Sequence, residues 1–530
     1  GDLIKEEDHK PLQTLIEISS EYFFSVFFNT IHILPFFPSS SDRGFAIRDF
    51  REVDPNLGTW DDISDMKYYF KLMFDGVFNH VSSKSLWFQE FLNGNPDYKN
   101  FFHAFSDRRK ISRRKLDMLL RPRTSDVFTR FSTFKGDRLV WTTFSPDQID
   151  LNFKNPKVLV NILDVLLFYV RKGADIIRLD AVTYLWRQLG TTGAHLKQTH
   201  AIIKLFRAIL DAVAPHVSLI TETNVPHKDN MTYFGNGDDE AHMIYNFALP
   251  PLILHTFLTG NSGKLTQWAG TLKNPSTTAT FFNFLDSHDG IGVMGATGIL
   301  DDEEIEHLAQ KTIKHGGLVS YRNDKSGIKR IYELNITSYN ALNRNDSGES
   351  ADFQVKRYIA ARSIVLVLTG VPGVYLHGFF GSKNYIDGVT QDNDKRSINR
   401  YILTRDELLK SLLDKKNPAH MIMNILGRMI HKRTMEKAFH PHAGQEVLDL
   451  GCCLFGIVRH SMNGHEHIIA ITNITGDKQR CTLDLAETNL HFDKWHDILS
   501  GKKTTSRKSL LTFMMKPYEV RWLKAEEKGH

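Results

Sequence analysis

The chain has 530 residues, 41% of them hydrophobic and 24% charged, with a formal charge of +5. That length exceeds one simple core and asks for two or more domains, and the balance is that of a globular protein rather than a disordered chain. So mild a basic excess does not by itself point to nucleic acid, and the three cysteines, with Cys452 and Cys453 adjacent, offer neither a zinc spacing nor a disulfide framework.

Such cysteine usage fits a reducing cytoplasm. No apolar run of about 18 residues and no signal-peptide pattern is present, so a cytoplasmic location without membrane contact is expected. Strand-like and helix-like segments then alternate along the chain. A helix-like segment around Leu12–Glu17 precedes a strand over 29–34, and a second strand covers 71–78. Asn155-Pro156 opens a helix whose apolar face carries Leu159, Ile162, Leu163, Leu166 and Val170. Gly173 ends it, and the strand Ile176-Ile-Arg-Leu179 follows. A helix over 192–213, with Ile202, Phe206, Ile209, Leu210 and Val213 on one face, leads to strands at 217–221, 243–247 and 279–285. A helix at 250–259 falls between the last two. A helix at 352–369, a strand at 371–376 and a helix at 418–437 complete the rhythm.

This repeated order predicts an α/β protein, a parallel (β/α)8 TIM barrel. Seven barrel strands can be counted, so the first is expected before Gly1. The barrel is assigned to residues 1–80, 152–290 and 354–438. Two excursions interrupt it, an inserted domain B at 81–151 and a second inserted region, B′, at 291–353; loops this long are usually functional. From 439 to 530 short alternating runs, such as 466–473 and 512–522, predict a small antiparallel β domain.

In such barrels chemistry sits where strands end. Four ends carry ionisable groups: Asp75…Asn79-His80, Arg178-Leu-Asp180, Thr221-Glu222-Thr-Asn224, and Asp286-Ser-His288-Asp289. Each alone reads as a cap, a satisfied core histidine or an ion pair; four on one rim suit glycosyl transfer. A retaining mechanism needs one ionised carboxylate as nucleophile and a second as acid/base, about 5–5.5 Å apart. Arg178, two residues from Asp180 and so on its side of the strand, is expected to lower that carboxyl's pKa. Glu222 has no cation beside it in sequence and suits the acid that keeps its proton. No His-x-x-x-His or close carboxylate spacing supports a metal.

At these residues the chain resembles the α-amylase superfamily, whose four short regions match Asp75–His80, Gly173–Ala181, Glu222 and Leu285–Asp289. Within it, the runs 31–38, 42–45, 57–60, 246–251, 288–292 and Ser397-Ile-Asn-Arg400 look like the sucrose phosphorylase-related branch. The resemblance covers nearly the whole chain. It implies Asp180 as nucleophile, Glu222 as acid/base and Asp289 as transition-state stabiliser. It implies Asp42 and Arg396 on the far hydroxyls of glucose, Phe45 as an apolar platform, and His80, Arg178 and His288 in the same subsite. Arg123 is implied as a phosphate ligand, a role that suits bidentate pairing.

Two details depart from sucrose phosphorylases. The acid/base stands in Thr221-Glu-Thr-Asn-Val-Pro-His227, and Glu333 replaces a Gln of the mobile acceptor loop. The Thr-Glu-Thr-Asn-Val-Pro-His form looks more like phosphorylases acting on glucosylglycerate, and their close relatives acting on glucosylglycerol. For the glycerate carboxylate, Asn224, His227, Lys228 and Arg187 are the candidates. The expected activity is a retaining phosphorylase that passes glucose to phosphate without metal or organic cofactor. Its partners would be a small carbohydrate and phosphate, not nucleic acid; a homodimer is left open. Sucrose or glucosylglycerol phosphorylase, a hydrolase or transglucosidase, and a non-catalytic sugar-binding relative are the alternatives.

Overall fold

The structure, a computed structural model, describes residues 2–22, 24–324, 328–488 and 490–526. Among these residues one parallel sheet holds seven strands: β1 (Thr30–Ile33), β2 (Lys71–Gly76), β3 (Ile176–Leu179), β4 (Ser218–Thr221), β5 (Met243–Tyr245), β6 (Thr280–Asn283) and β7 (Val371–Pro372). Each strand pairs with its neighbour in the chain, so the sheet runs from β1 to β7 in sequence order. The strand expected ahead of Gly1 lies outside the described residues.

Side-chain alternation divides this sheet into two faces. Leu72, Phe74, Ile177, Leu219, Ile244 and Phe281 join the large core under the surrounding helices. Met73, Ile220, Met243 and Tyr245 form a separate inner cluster. The same alternation sends Asp75, Arg178, Asp180 and Glu222 inward. Parallel strands need crossovers that cover the sheet, and helices supply them. α1 (Pro156–Arg171) starts at Asn155, whose side chain accepts from the Lys157 N–H. Its buried stripe is Val158, Ile162, Val165, Leu166 and Tyr169, so Leu159, Leu163 and Val170 lie at the margin of that face rather than its centre. α2 (Lys197–Val213) begins five residues later than its apolar period suggests; Gly193 and His195, both at positive φ, hold the approach as a loop.

The 81–151 excursion carries a three-stranded antiparallel sheet with its own small core around Phe128 and Trp141. It is closed at its base by His80–Ser82 pairing with Gln148–Asp150. The 291–353 segment contains a hairpin, Leu318–Asn323 with Lys329–Asn335, whose second strand also pairs with Ile291–Gly292. Beyond residue 439 lie a six-stranded antiparallel sheet and a two-stranded one. The run expected over 512–522 is two strands, Leu510–Met515 and Val520–Ala525, in different sheets. Pro517, which has no N–H to donate, and Tyr518 at φ 53° turn the chain between them.

Two buried arginines without carboxylate partners among the described residues meet at the seam between this region and the barrel, Arg459 from the C-terminal sheet and Arg433 from the barrel's helix Pro418–Met435. α3 (Ala351–Val367) ends at buried carbonyls. Arg459, fully buried, donates to Val367 O at 2.7 Å and to the carbonyls of His440, Ala443 and Gly444. Arg433 donates to Leu366 O at 2.7 Å and Gly370 O at 3.1 Å. Burial pushes Arg459 down to about 9, which leaves it charged at neutral pH. A buried carbonyl stripped of its donor costs about 1–3 kcal/mol. Arg459→Met, similar in volume and unable to donate, is therefore expected to lower the apparent melting temperature by several degrees in a thermal scan. An unchanged transition would contradict this account.

Candidate active site

The register of the sheet brings the acidic residues together. Leu179 pairs with Gly76 on one side and Thr221 on the other, so Asp180 and Glu222 each lie one step past paired positions. Their own N–H groups continue the ladders: Asp180 N–H donates to Gly76 O at 3.2 Å and Glu222 N–H to Leu179 O at 3.1 Å. Both side chains thus project from one layer at the strand ends, into one cleft. Asp289 enters from the loop after β6. Asp286, at the same strand end, turns away and pairs with buried Arg362 and Ser338.

Arg178 lies beneath this layer, 2% exposed, and its charge is divided. Nη1 donates to Asp75 and, at 2.8 Å, to Asp180 Oδ1; Nη2 is 4.0 Å from Glu222. Asp75 also takes His32 Nε2 at 2.8 Å. Burial disfavours its charge, but Arg178 and His32 together hold it well below the usual carboxylate range. Asp180 behaves differently from the sequence-based expectation. Burial raises its pKa, Arg178 opposes, and the Asp75 charge adds to the rise. The arginine that should depress Asp180 is largely matched already by Asp75.

Glu222 is raised to about 7: burial is the main cause, Arg178 opposes it, and the Asp180 and Asp289 charges add to the rise. Its Oε2 accepts the Ala181 N–H at 3.1 Å. Ala181 stands at φ 47°, a left-handed conformation that costs a non-glycine residue about 1–2 kcal/mol, and this aims the N–H across the cleft. Within the coupled pair, Asp180 keeps direct contact with the guanidinium and Glu222 does not. That contact favours the charged form of Asp180 over that of Glu222.

Asp289 has the opposite environment. Burial raises its pKa, but Arg396 Nη1 at 2.7 Å and Arg400 Nη2 at 3.1 Å keep it well below the usual range, with His288 Nε2 3.6 Å away. Arg396 is braced from behind by buried Glu333, which accepts from Nε at 3.0 Å and Nη2 at 2.6 Å. Arg400 Nη1 reaches Asp42 at 3.4 Å. Asp42, Arg43 and Gly44 all have positive φ, and a Cβ on Gly44 would stand 2.4 Å from Pro35 O. That tight turn presents both Asp42 and Phe45. The Phe45 ring stacks on His288 at 4.9 Å and 7°. Burial drives His288 down to about 3, so it is a neutral imidazole at this wall. His80 Nε2 donates to Phe45 O at 2.9 Å, with Asn79 Nδ2 donating to Nδ1 at 3.2 Å.

The cleft thus collects Asp42, Phe45, His80, Asp180, Glu222 and His288, with Asp289, Arg396, Arg123 and Asn224 around them. Five candidates fall outside its lining, Arg178 beneath the strand ends and four others. Glu333 lies behind Arg396. His227 packs edge-on against Trp268 at 5.8 Å. Arg187 is buried and pinned by Asp150 at 2.7 Å, by Gly193 O at 2.8 Å and by the Tyr184 ring at 4.5 Å, so it is not free for an acceptor. Lys228 is exposed beside His227.

Sequence reasoning passed over Arg400, Tyr184, Tyr332 and Gln148. Arg400 stood in a quoted motif four residues after Arg396, the one available signal. Tyr332 enters through a β-bulge, which no periodicity reveals.

The model of the α-amylase catalytic domain matches residues 16–330. The chain is 43% identical over 523 residues to a glucosylglycerate phosphorylase of Allomeiothermus silvanus, covering 99% of this chain and 89% of that protein. It is 38% identical to a glucosylglycerate phosphorylase of Escherichia coli, covering 99% of this chain and 90% of the relative. The crystal structure of sucrose 6F-phosphate phosphorylase from Thermoanaerobacter thermosaccharolyticum superposes with a TM-score of 0.77 at 25% identity, covering 89% of this chain and 93% of that one.

Proposed function

The chain belongs to the α-amylase family, and from that premise we propose that it is a retaining glycoside phosphorylase moving glucose between glycerate and inorganic phosphate. The observation that carries the chemistry is the pair of adjacent strand-end carboxyls of which only one is in direct contact with Arg178. Asp180 is held against Arg178 as the anion, and Glu222, at about 7, keeps a proton. The greater likeness to glucosylglycerate phosphorylases supports glycerate as the acceptor.

In this reading Glu222 protonates the glycosidic oxygen while Asp180 Oδ attacks the anomeric carbon; glycerate leaves and a β-glucosyl ester remains. Phosphate then attacks the same carbon, the ester bond to Asp180 breaks, and α-glucose 1-phosphate forms. Two inversions give net retention. The developing oxocarbenium charge faces Asp289, which its arginines keep ionised. Asp42, Phe45, His80, His288, Arg396 and Arg400 surround the glucose, and Arg123 takes phosphate as a bidentate partner. The steps use no metal or organic cofactor; phosphate is the co-substrate. The cysteine pattern supports a cytoplasmic setting.

Incubating the protein with glucosylglycerate and phosphate should yield α-glucose 1-phosphate and glycerate in equal amounts. Release of free glucose alone would replace this reading with a hydrolase. Faster phosphorolysis of sucrose or glucosylglycerol would replace the acceptor.

A further inference from the structure

Arg322 lies on the strand Leu318–Asn323, whose partner strand carries Tyr332 into the cleft wall. The register slips between them: Ser320 pairs with Glu333 but Tyr321 with Ile331, leaving Tyr332 as the extra residue of a bulge. Bulges of this kind redirect a side chain beside a functional site. Just past it, Arg322 stands directly opposite Arg330. Like charges facing each other across an antiparallel pair destabilise it.

The two arginines are treated differently. Arg330 is met by Asp302 at 2.8 Å and Asp324 at 3.3 Å. Arg322 has no carboxylate within ion-pair distance among the described residues. Its Nε donates to the Met294 thioether at 3.2 Å, a weak acceptor. It is half-buried, and its charge acts on the hydroxyl of Tyr184, a side chain of the cleft. Arg123, near Tyr332 in the same wall, is likewise unmatched among the described residues. Asn224 lines the same cleft as Glu222 and Arg123, and its buried Oδ1 has no hydrogen-bond partner among the described residues. Asn224 occupies space that only a glycine at 292 leaves open, since a Cβ there would come within 2.4 Å of Nδ2. The wall of the cleft that holds Asn224 therefore carries one guanidinium without counter-charge among the described residues, Arg123, and one unused acceptor atom that suits a hydroxyl, while Arg322 stands behind that wall against Met294, two residues from Gly292.

We infer that Arg322 is a specificity-determining residue, its guanidinium taking the carboxylate of an acidic acceptor held across from Glu222 while the Asn224 side-chain oxygen accepts from that acceptor's hydroxyl. The inference rests on the proposed phosphorylase reading and adds the residue that selects acidic over neutral acceptors. A charge built to be met by a ligand carboxylate explains why it faces Arg330 without a partner of its own.

The test runs synthesis from α-glucose 1-phosphate with glycerate or glycerol as acceptor, in wild type, Arg322→Gln and Arg322→Lys. Arg322→Gln should lower kcat/KM for glycerate about 100-fold and leave glycerol within about two-fold, because a site built for a polar partner discriminates strongly. Arg322→Lys, which keeps the charge but loses the fork, should recover part of the glycerate activity. An equal fall with both acceptors would reduce Arg322 to a structural residue, and an unchanged preference for glycerate would remove it from the acceptor site; either overturns the inference. A wild-type protein that forms glucose 1-phosphate yet ignores glycerate would instead overturn the acceptor reading itself.

Discussion

Asp180→Asn is expected to lower kcat for phosphorolysis by about 10⁴-fold or more, the scale seen when a nucleophile that acts in concert with its partners is removed. The amide is nearly isosteric, and its oxygen still accepts from Arg178 Nη1, which stands 2.8 Å from Asp180 Oδ1. Asp75 continues to match the guanidinium from the other side. The fold should therefore survive, and a thermal scan should show a transition close to wild type. What disappears is the electron pair that forms the ester. Asp180→Ala adds a chemical readout. With the side chain removed, azide can enter from the face Asp180 occupied and attack an α-glucosyl donor once, giving a β-glucosyl azide. Product of α configuration, or an Asn variant with ordinary turnover, would place the nucleophile elsewhere.

The second large effect belongs to Glu222. Its pKa of about 7 is set first by burial, which Arg178 opposes and to which the charges of Asp180 and Asp289 add. The protonated form is the one that departing glycerate needs. Raising the pH through 7 removes that proton, so kcat/KM for glucosylglycerate should fall on the alkaline side, about tenfold per pH unit once the group has titrated. Glu222→Gln should abolish this limb and leave a flat, low rate, reduced about 10²–10⁴-fold. With α-glucosyl fluoride, whose leaving group needs little proton assistance, the same variant should lose far less. An alkaline limb that persists in the Gln variant would assign the pKa to another group.

The strand ends were legible because the sheet has a strict period of two: Arg178 and Asp180 had to share a face, and their 2.8 Å contact follows from that spacing. The α/β rhythm was legible for a related reason, since caps such as Asn155 and stops such as Gly173 mark boundaries locally. The direction of the Asp180 shift was not, because it depends on Asp75, which is 103 residues from Arg178 in the chain and meets it only through the β2–β3 register. Arg187 misled for the opposite reason: a cation close to the site in sequence is consumed by Asp150 and Tyr184. Tyr332 and Arg322 depend on a slipped register and a non-local loop, and Asp42 on consecutive left-handed residues. Local patterns carry none of these.

The way Arg459 and Arg433 cap the end of α3 bears on modular engineering of this chain. The C-terminal sheet, through Arg459, supplies the donor for the Val367 carbonyl of a barrel helix, while Arg433 of the helix Pro418–Met435 serves the neighbouring Leu366 carbonyl. The seam between the two is thus a shared hydrogen-bond lattice, and a cut in the linking backbone does not separate it. Grafting the C-terminal sheet of a relative onto this barrel would succeed only if the donor brought a guanidinium to the same carbonyls, whatever the quality of the apolar match.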